Sequence, residues 1–215
     1  MTATQGPFWG YFILLLGTIV FLDQKYGMLR DSSTARKKPY SWARVQLAWW
    51  TIIILASFFA ILTLGHGIPT FNQSTLILLG ISAATTGAAR IIDQSDQQKT
   101  DIVLAQNMPG QGFFLDILSD GTGPNLHRFQ TVLFNLAFGI WFISQVAAGL
   151  TPACTSLDCI NKIMPALEQN NLILLGLSAG TYAALKTTEN KPAPGSMPDK
   201  VPDTSGHTGQ LPAQG

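Results

Sequence analysis

The segment Leu-Ile-Leu-Leu-Gly occurs at residues 76–80 and again at residues 172–176, and it belongs to a longer duplication. Residues 69–93 match residues 165–189 at an offset of 96, with 11 of 25 positions identical. Upstream, at an offset of 84, Arg44 and Gln46 match Arg128 and Gln130, and each pair precedes a long apolar run. The sequence therefore predicts one helical hairpin built twice.

The composition is typical of a membrane protein. Only 12% of the residues are charged, and the mean hydropathy is +0.24, whereas a soluble domain has about 25% charged residues. Residues 45–64 and 129–150 contain no charge at all, and about 20 apolar residues suffice to span a bilayer. These runs disfavour the alternative, a soluble bundle with buried helices.

We predict an all-α integral membrane fold, because a helix satisfies its own backbone hydrogen bonds in lipid. The period-2 alternation of a membrane barrel is missing from the sequence. Five transmembrane helices are expected, at residues 8–22, 45–65, 75–92, 129–150 and 171–185. The last four would form a parallel tandem repeat with a pseudo-twofold axis along the membrane normal.

The distribution of charge predicts the orientation. Five spans place 12 of the 13 Lys and Arg residues on one side, and only Lys162 on the other. Because cytoplasmic loops are enriched in Lys and Arg, we expect the N-terminus outside and the C-terminus in the cytoplasm. The first span has no positive charge before it, so it is interpreted as a retained anchor rather than a signal peptide.

These spans divide the chain into five segments. They are an anchor helix with a basic cytoplasmic linker (1–44), a first hairpin (45–92), a cytoplasmic loop (93–128), a second hairpin (129–186) and a disordered cytoplasmic tail (187–215). Within the loop, residues 112–121 predict a short amphipathic helix. That helix could lie on the inner leaflet, form a docking edge for a partner, or pack against the bundle.

The third and fifth spans each carry a face of small residues, which lets two helix backbones approach closely in a membrane. The residues predicted to serve helix packing are Gly80, Ala84, Ala88, Gly176, Gly180 and Ala184.

A hydroxyl face lies opposite the small face on both spans, with Ser82 and Thr85 on the third and Ser178 and Thr181 on the fifth. These side chains can bond to the carbonyl one turn back, bond across helices, or line a pore.

Basic residues flank the spans at the predicted cytoplasmic boundary. Arg44, Arg90, Arg128 and Lys186 could contact anions or lipid headgroups, or they could only set the topology while their side chains reach the interface. Tyr40 and Trp42, at the start of the second span, are interpreted as interfacial aromatic residues, with simple hydrophobic filling as the alternative.

The only two cysteines, Cys154 and Cys159, lie in a 12-residue insertion between the fourth and fifth spans. This insertion is outside in the predicted topology, where a disulfide can persist, and the alternative is a pair of thiols. We expect no catalytic residue, no cofactor and no metal site, because the chain contains none of the corresponding motifs. Asn135 is the deepest amide, and we expect it to bond between helices, with a substrate contact as the alternative.

Three stretches resemble an uncharacterised family of bacterial multi-pass membrane proteins. They are Ser41 to Gln46, Phe114 to Gln130 with its His127-Arg-Phe-Gln end, and the Leu-x-Gly-x-Ser-Ala-Gly-Thr-Tyr segment that ends at Tyr182. The resemblance covers roughly residues 40–190. It implies the multi-pass topology and a bacterial origin, and it supplies no activity and no site residues.

The sequence thus favours a non-enzymatic protein of the inner membrane that acts as an oligomeric scaffold or as an anchor. Its expected partners are the lipid bilayer and either further copies of itself or a membrane or cytoplasmic protein, and not nucleic acid. A channel or pore subunit is the alternative, and a membrane-embedded enzyme ranks third.

Overall fold

The computed structural model of the protein describes residues 4–33, 35–63, 68–97, 109–120, 123–151, 154 and 156–189. Most of these residues are helical, and one short antiparallel strand pair lies between two of the helices along the chain. In chain order the elements are α1 Gly6–Tyr26, α2 Trp42–Thr63, α3 Gln73–Gln97, α4 Phe113–Leu118, β1 Ser119–Asp120, β2 Gly123–Pro124, α5 Leu126–Gly149, α6 Leu157–Ile163 and α7 Gln169–Glu189.

In the described part of the chain, four helices are long and apolar enough to cross a membrane: α1, α2, α3 as far as Ile92, and α5. Their 20 to 24 residues match the thickness of a bilayer core. The fold is therefore helical and compatible with a multi-pass membrane protein. Helix α7 is not among the four, because amide side chains open it and polar and charged residues close it.

The long helices form a four-helix ring. Helix α2 contacts α3 and α5, and α7 contacts both α3 and α5, while α1 packs on the outside of α2. Helix α2 is apolar on all sides, which allows it to pack against α1, α3 and α5 at once. Its Trp50 is fully buried, as is Phe142 of α5, and their rings meet edge to face with centroids 6.2 Å apart.

Helices α3 and α7 run in parallel from one end of the ring to the other. At one end, the N–H of Leu167 donates to Ser74 Oγ over 3.1 Å. At the other end, Ala89 and Tyr182 share a cluster of buried side chains. We call the end with α6 the disulfide end, and the end with the starts of α2 and α5 the basic end.

Helix starts fall at the two offsets found in the sequence. Helix α5 starts at Leu126, 84 residues after Trp42 starts α2, and α7 starts at Gln169, 96 residues after Gln73 starts α3. The helix boundaries thus agree with the sequence alignment, and the twofold relation of the hairpins stays a prediction.

Side chains complete the hydrogen bonding at the disulfide end. Thr4 Oγ1 and Gln5 Nε2 donate to the carbonyls of Leu150 and Ala147 at the end of α5, over 2.7 and 2.8 Å. The last carbonyls of a helix have no partner within it, so these bonds join α1 to α5. Asn72 acts similarly, since its Oδ1 accepts from the N–H of Thr75 at the start of α3 over 2.8 Å.

The linker between α1 and α2 is ordered at the basic end. Gly27 ends α1 with a φ of +65°, a conformation that suits glycine. Asp23 is buried, and its Oδ1 accepts from the N–H of Leu29 over 2.9 Å. Arg30 lies 3.7 Å from the Asp23 carboxylate and stacks over the Tyr40 ring. These contacts hold the linker against the start of α2.

Gly139 of α5 is a position where only glycine fits. A Cβ built there would lie 2.6 Å from Cε2 and Cζ2 of Trp49 on α2.

We predict that Gly139→Ala lowers the free energy of unfolding by about 1–3 kcal/mol, as overpacking typically does. Thermal unfolding of the purified protein in detergent measures this. Gly17→Ala on α1, where no atom lies within 4 Å of an added Cβ, is the matched control and should be neutral. Equal melting temperatures for both variants would contradict the packing described.

Candidate functional site

A buried polar contact joins the two hairpins at α2 and α5. Trp50 Nε1–H donates to Asn135 Oδ1 over 2.9 Å, and both side chains are buried. Asn135 Nδ2 donates to the carbonyl of Thr131 one turn back, over 2.8 Å. Trp49 Nε1–H donates to the backbone carbonyl of Asn135 over 3.2 Å. The interhelical bond expected of Asn135 is present, and its contact with two adjacent tryptophans fixes how α2 and α5 face each other.

The small-residue faces lie mostly outside the helix ring. Gly80, Ala84, Gly180 and Ala184 are exposed, while Ala88 and Gly176 are half-buried. No atom lies within 4 Å of a Cβ built on Gly80 or Gly180. Leu78 of α3 and Leu175 of α7 both belong to the main buried cluster, and a Cβ built on Gly176 would lie 3.6 Å from Cδ1 of Ile81. The structure therefore leaves most of the small-residue surface at the outside of the ring.

The hydroxyl side chains of α3 lie inside the ring. Ser82 and Thr85 are buried, and they donate to the carbonyls of Leu78 and Ile81 on their own helix over 3.1 and 2.7 Å. On α7, Ser178 is half-buried and Thr181 is exposed. The four hydroxyls thus do not share one environment within a single copy.

The flanking basic residues are spread around the basic end. Arg44 is half-buried and donates to the carbonyl of Met28 and to Ser32 Oγ, each over 3.3 Å. Arg90 is exposed. Arg128 lies over the Tyr182 ring, 5.3 Å from its centroid. The side chain of Lys186 lies outside the described residues. Two of these arginines therefore help to pack the linker and α7.

The loop before α5 folds back onto the bundle. Helix α4 has six residues, within the stretch 112–121 that predicted a short helix, and the strand pair β1–β2 follows it. In that pair, Ser119 lies opposite Pro124 and Asp120 lies opposite Gly123. Of the apolar face, Ile117 is buried in the cluster of Trp42 and Tyr182, whereas Phe114 is 75% exposed.

Asp116 fixes α4 to the linker. Its Oδ2 accepts from the N–H of Tyr40 over 3.1 Å, and its Oδ1 accepts from the N–H of Gln111 over 2.8 Å. The N–H of Gly110 donates to the carbonyl of Lys37 over 2.8 Å. These bonds join residues 37–40 and 110–118 into one surface, which we call the cap. Residues 98–108 and 121–122 of the predicted docking loop lie outside the described residues, as do residues 190–215 of the tail.

At the other end, Cys154 and Cys159 form a disulfide, with Cα atoms 5.5 Å apart. Cys154 belongs to the main buried cluster together with Ile160 and Ile163 of α6. The bridge therefore lies within the segment that connects α5 to α7, and it links Cys154 to Cys159 of α6.

Among the residues that the structure describes, no group of three or more His, Cys, Asp or Glu side chains is placed to hold a metal ion. Comparison with protein-family models, curated proteins and solved structures found no match to this chain. Functional inference therefore depends on the geometry of the chain itself.

Two buried polar groups were not anticipated from the sequence. Trp42 is only 4% exposed, in a cluster of buried side chains with Ile117 and Tyr182, and its Nε1 has no hydrogen-bond partner among the described residues. Gln46, one turn further along α2, is 1% exposed, and its Oε1 is likewise unpaired within the described chain. The position of Gln46 inside an apolar run was the available signal, but the sequence alone does not show that this side chain is buried.

We predict that Asn135→Leu destabilises the protein by about 1–3 kcal/mol, because it leaves the buried N–H of Trp50 without an acceptor. Trp50→Phe removes the donor. In a double-mutant cycle of thermal or chemical unfolding, the two substitutions should show a coupling of about 1 kcal/mol, within the range of interhelical bonds in membranes. Ser144→Ala on α5, whose hydroxyl bonds to its own helix, is the control. Additive effects of Asn135→Leu and Trp50→Phe would show that the contact contributes nothing.

Proposed function

We propose that the chain crosses a bacterial inner membrane five times, with its N-terminus outside and its C-terminus in the cytoplasm. The parallel course of α3 and α7 supports the fifth crossing, because α7 runs from the disulfide end to the basic end as α3 does. A disulfide at one end and most of the described cations at the other support the orientation. In this arrangement, the two hairpins are related by a pseudo-twofold axis along the membrane normal.

Within that topology, the protein acts as a non-enzymatic scaffold that self-associates in the membrane and presents its cap to a partner. The observation that carries this proposal is the exposure of Gly80, Ala84 and Gly180 on the outside of the ring. Small residues let helix backbones approach closely where lipid removes the hydrophobic driving force. A second copy could therefore pack against α3 or α7 without repacking the bundle.

The cap supplies a surface for a cytoplasmic or membrane partner. Asp116 holds its two segments together, and Ile117 packs it against Trp42 and Tyr182. The cap exposes Phe114 and Leu115, at 75% and 47%, and also Lys37 and Lys38. A combination of exposed aromatic or aliphatic side chains and lysines suits an acidic surface, whether of a protein or of a leaflet.

A pore lined by Ser82, Thr85, Ser178 and Thr181 is the alternative. The exposure of Thr181 is compatible with a path between copies, but the burial of Ser82 and Thr85 and their bonds to their own helix favour a packing role. A membrane-embedded enzyme ranks third, since no contact among the described residues favours it over the other two.

The scaffold proposal predicts that Gly180→Leu and Gly80→Leu weaken self-association by about tenfold or more, because leucine keeps the backbones apart at a small-residue contact. Cross-linking in membranes at several expression levels, followed by native mass spectrometry of the purified protein, measures the oligomer fraction.

The matched control is Gly17→Leu, an exposed glycine on α1 with no atom within 4 Å of an added Cβ. It should oligomerise like the parent chain. The scaffold proposal is wrong if the parent chain stays monomeric at every expression level, or if Gly80→Leu and Gly180→Leu oligomerise as the parent does.

A further inference from the structure

A cavity of about 260 Å³ lies at the basic end between α2, α4 and α5. Its lining is almost wholly apolar, with Asn135 as the exception, and that amide is already bonded to Trp50 and to its own helix. The side chains that shape it include Trp42, Val45, Phe113, Ile117 and Val132. Apolar cavities of this kind bind apolar ligands, with few polar groups to orient them.

The wall of the cavity includes a buried donor without an acceptor. Trp42 lines the cavity, is 4% exposed, and its Nε1 has no partner among the described residues. A buried N–H left unpaired is destabilising, so an occupant that brings an acceptor oxygen would stabilise this site. Trp42 is also the first residue of α2, at the level where a bilayer changes from headgroups to hydrocarbon in a protein embedded as argued above.

Positive charge borders the same wall. Arg36, Lys37 and Lys38 are exposed, and the segment that follows them packs on α4, with the Tyr40 and Phe113 ring centroids 5.1 Å apart. The nearest carboxylate on α4, Asp116, accepts from the backbone N–H groups of Tyr40, Gln111 and Gly112. Basic residues next to an apolar cavity in a membrane protein suit anionic lipid headgroups.

We propose that the cavity holds one acyl chain of an anionic phospholipid from the leaflet at the basic end. The chain occupies the apolar space between α2, α4 and α5, and an ester carbonyl of the same lipid accepts from Trp42 Nε1–H. The phosphate lies beside Lys37 and Lys38. This site goes beyond the scaffold role, because it gives the cap a specific lipid ligand and does not depend on self-association.

The test uses the full-length protein in vesicles of phosphatidylcholine and phosphatidylglycerol in equal parts, with a trace of phosphatidylglycerol that carries a photoreactive acyl chain. After illumination, peptide mass spectrometry should find adducts within residues 113–118 and 132–136. Unlabelled phosphatidylglycerol should compete with the probe for the cavity, and so lower the yield of these adducts more than phosphatidylcholine does. Removing one charge with Lys37→Gln or Lys38→Gln should lower that preference by about fivefold.

Val132→Trp fills the cavity and should abolish the adducts there, whereas Ile13→Trp, at a 66% exposed position of α1, should not. If Val132→Trp fails to fold, Trp42→Phe keeps most of the ring and removes the donor, and should reduce the adducts by about fivefold. Adducts confined to exposed faces such as α1, equal competition by both lipids, or cavity adducts unchanged in the folded variants would overturn the proposal. If a protein segment fills the cavity instead, no lipid probe will label the cavity residues, and the proposal is overturned.

Discussion

Charge is confined to the two ends of this bundle, and the rest of the structure depends on that constraint. Hydrocarbon strongly disfavours an ionised side chain, and the run of α2 after Arg44 and that of α5 after Arg128 contain none. The interior must therefore be held by neutral contacts, while charged side chains organise the loops. Asp23, Arg30 and Asp116 do this at the basic end, where they bind backbone N–H groups, a carboxylate or an aromatic ring.

Neutral contacts in the interior divide into two kinds. Most described hydroxyls in the helices, such as Ser57, Ser82 and Thr85, bond to the carbonyl of their own preceding turn and so need no partner. Asn135 and Trp50 instead bond across α2 and α5, and this contact sets how the hairpins face each other. Close packing reinforces it, because Trp49 lies against the backbone of α5 at Gly139.

Helix positions could be predicted from the sequence because they depend on local composition. The predicted spans at 45–65, 75–92 and 129–150 fall within or close to α2, α3 and α5. The faces that meet could not be predicted, because α3 offers both a small-residue face and a hydroxyl face. In the structure, the hydroxyl side of α3 is buried together with Leu78, whereas Gly80 and Ala84 of the small-residue side are exposed.

Tertiary contacts between distant segments were also beyond the sequence. The return of α4, about 70 residues after Trp42, adds Ile117 to the cluster that buries Trp42, together with Ala89 of α3 and Tyr182 of α7. The same return leaves Phe114 exposed and Ile117 buried on one short helix. Periodicity shows which side chains share a face, but it does not show which part of that face a neighbouring segment will cover. The sequence of α4 therefore did not show whether this helix lies on the membrane surface or packs on the bundle as a cap with a cavity beneath it.

The fifth crossing is tested most directly by the sides on which the two ends of α7 lie. In a chain with Cys154→Ser and Cys159→Ser, one cysteine is introduced as Glu168→Cys before α7, and in a second chain a cysteine follows Gly215. A membrane-impermeant maleimide added to intact spheroplasts should label the first and reach the second only after permeabilisation. Equal labelling of both positions in intact spheroplasts would contradict the five-span account.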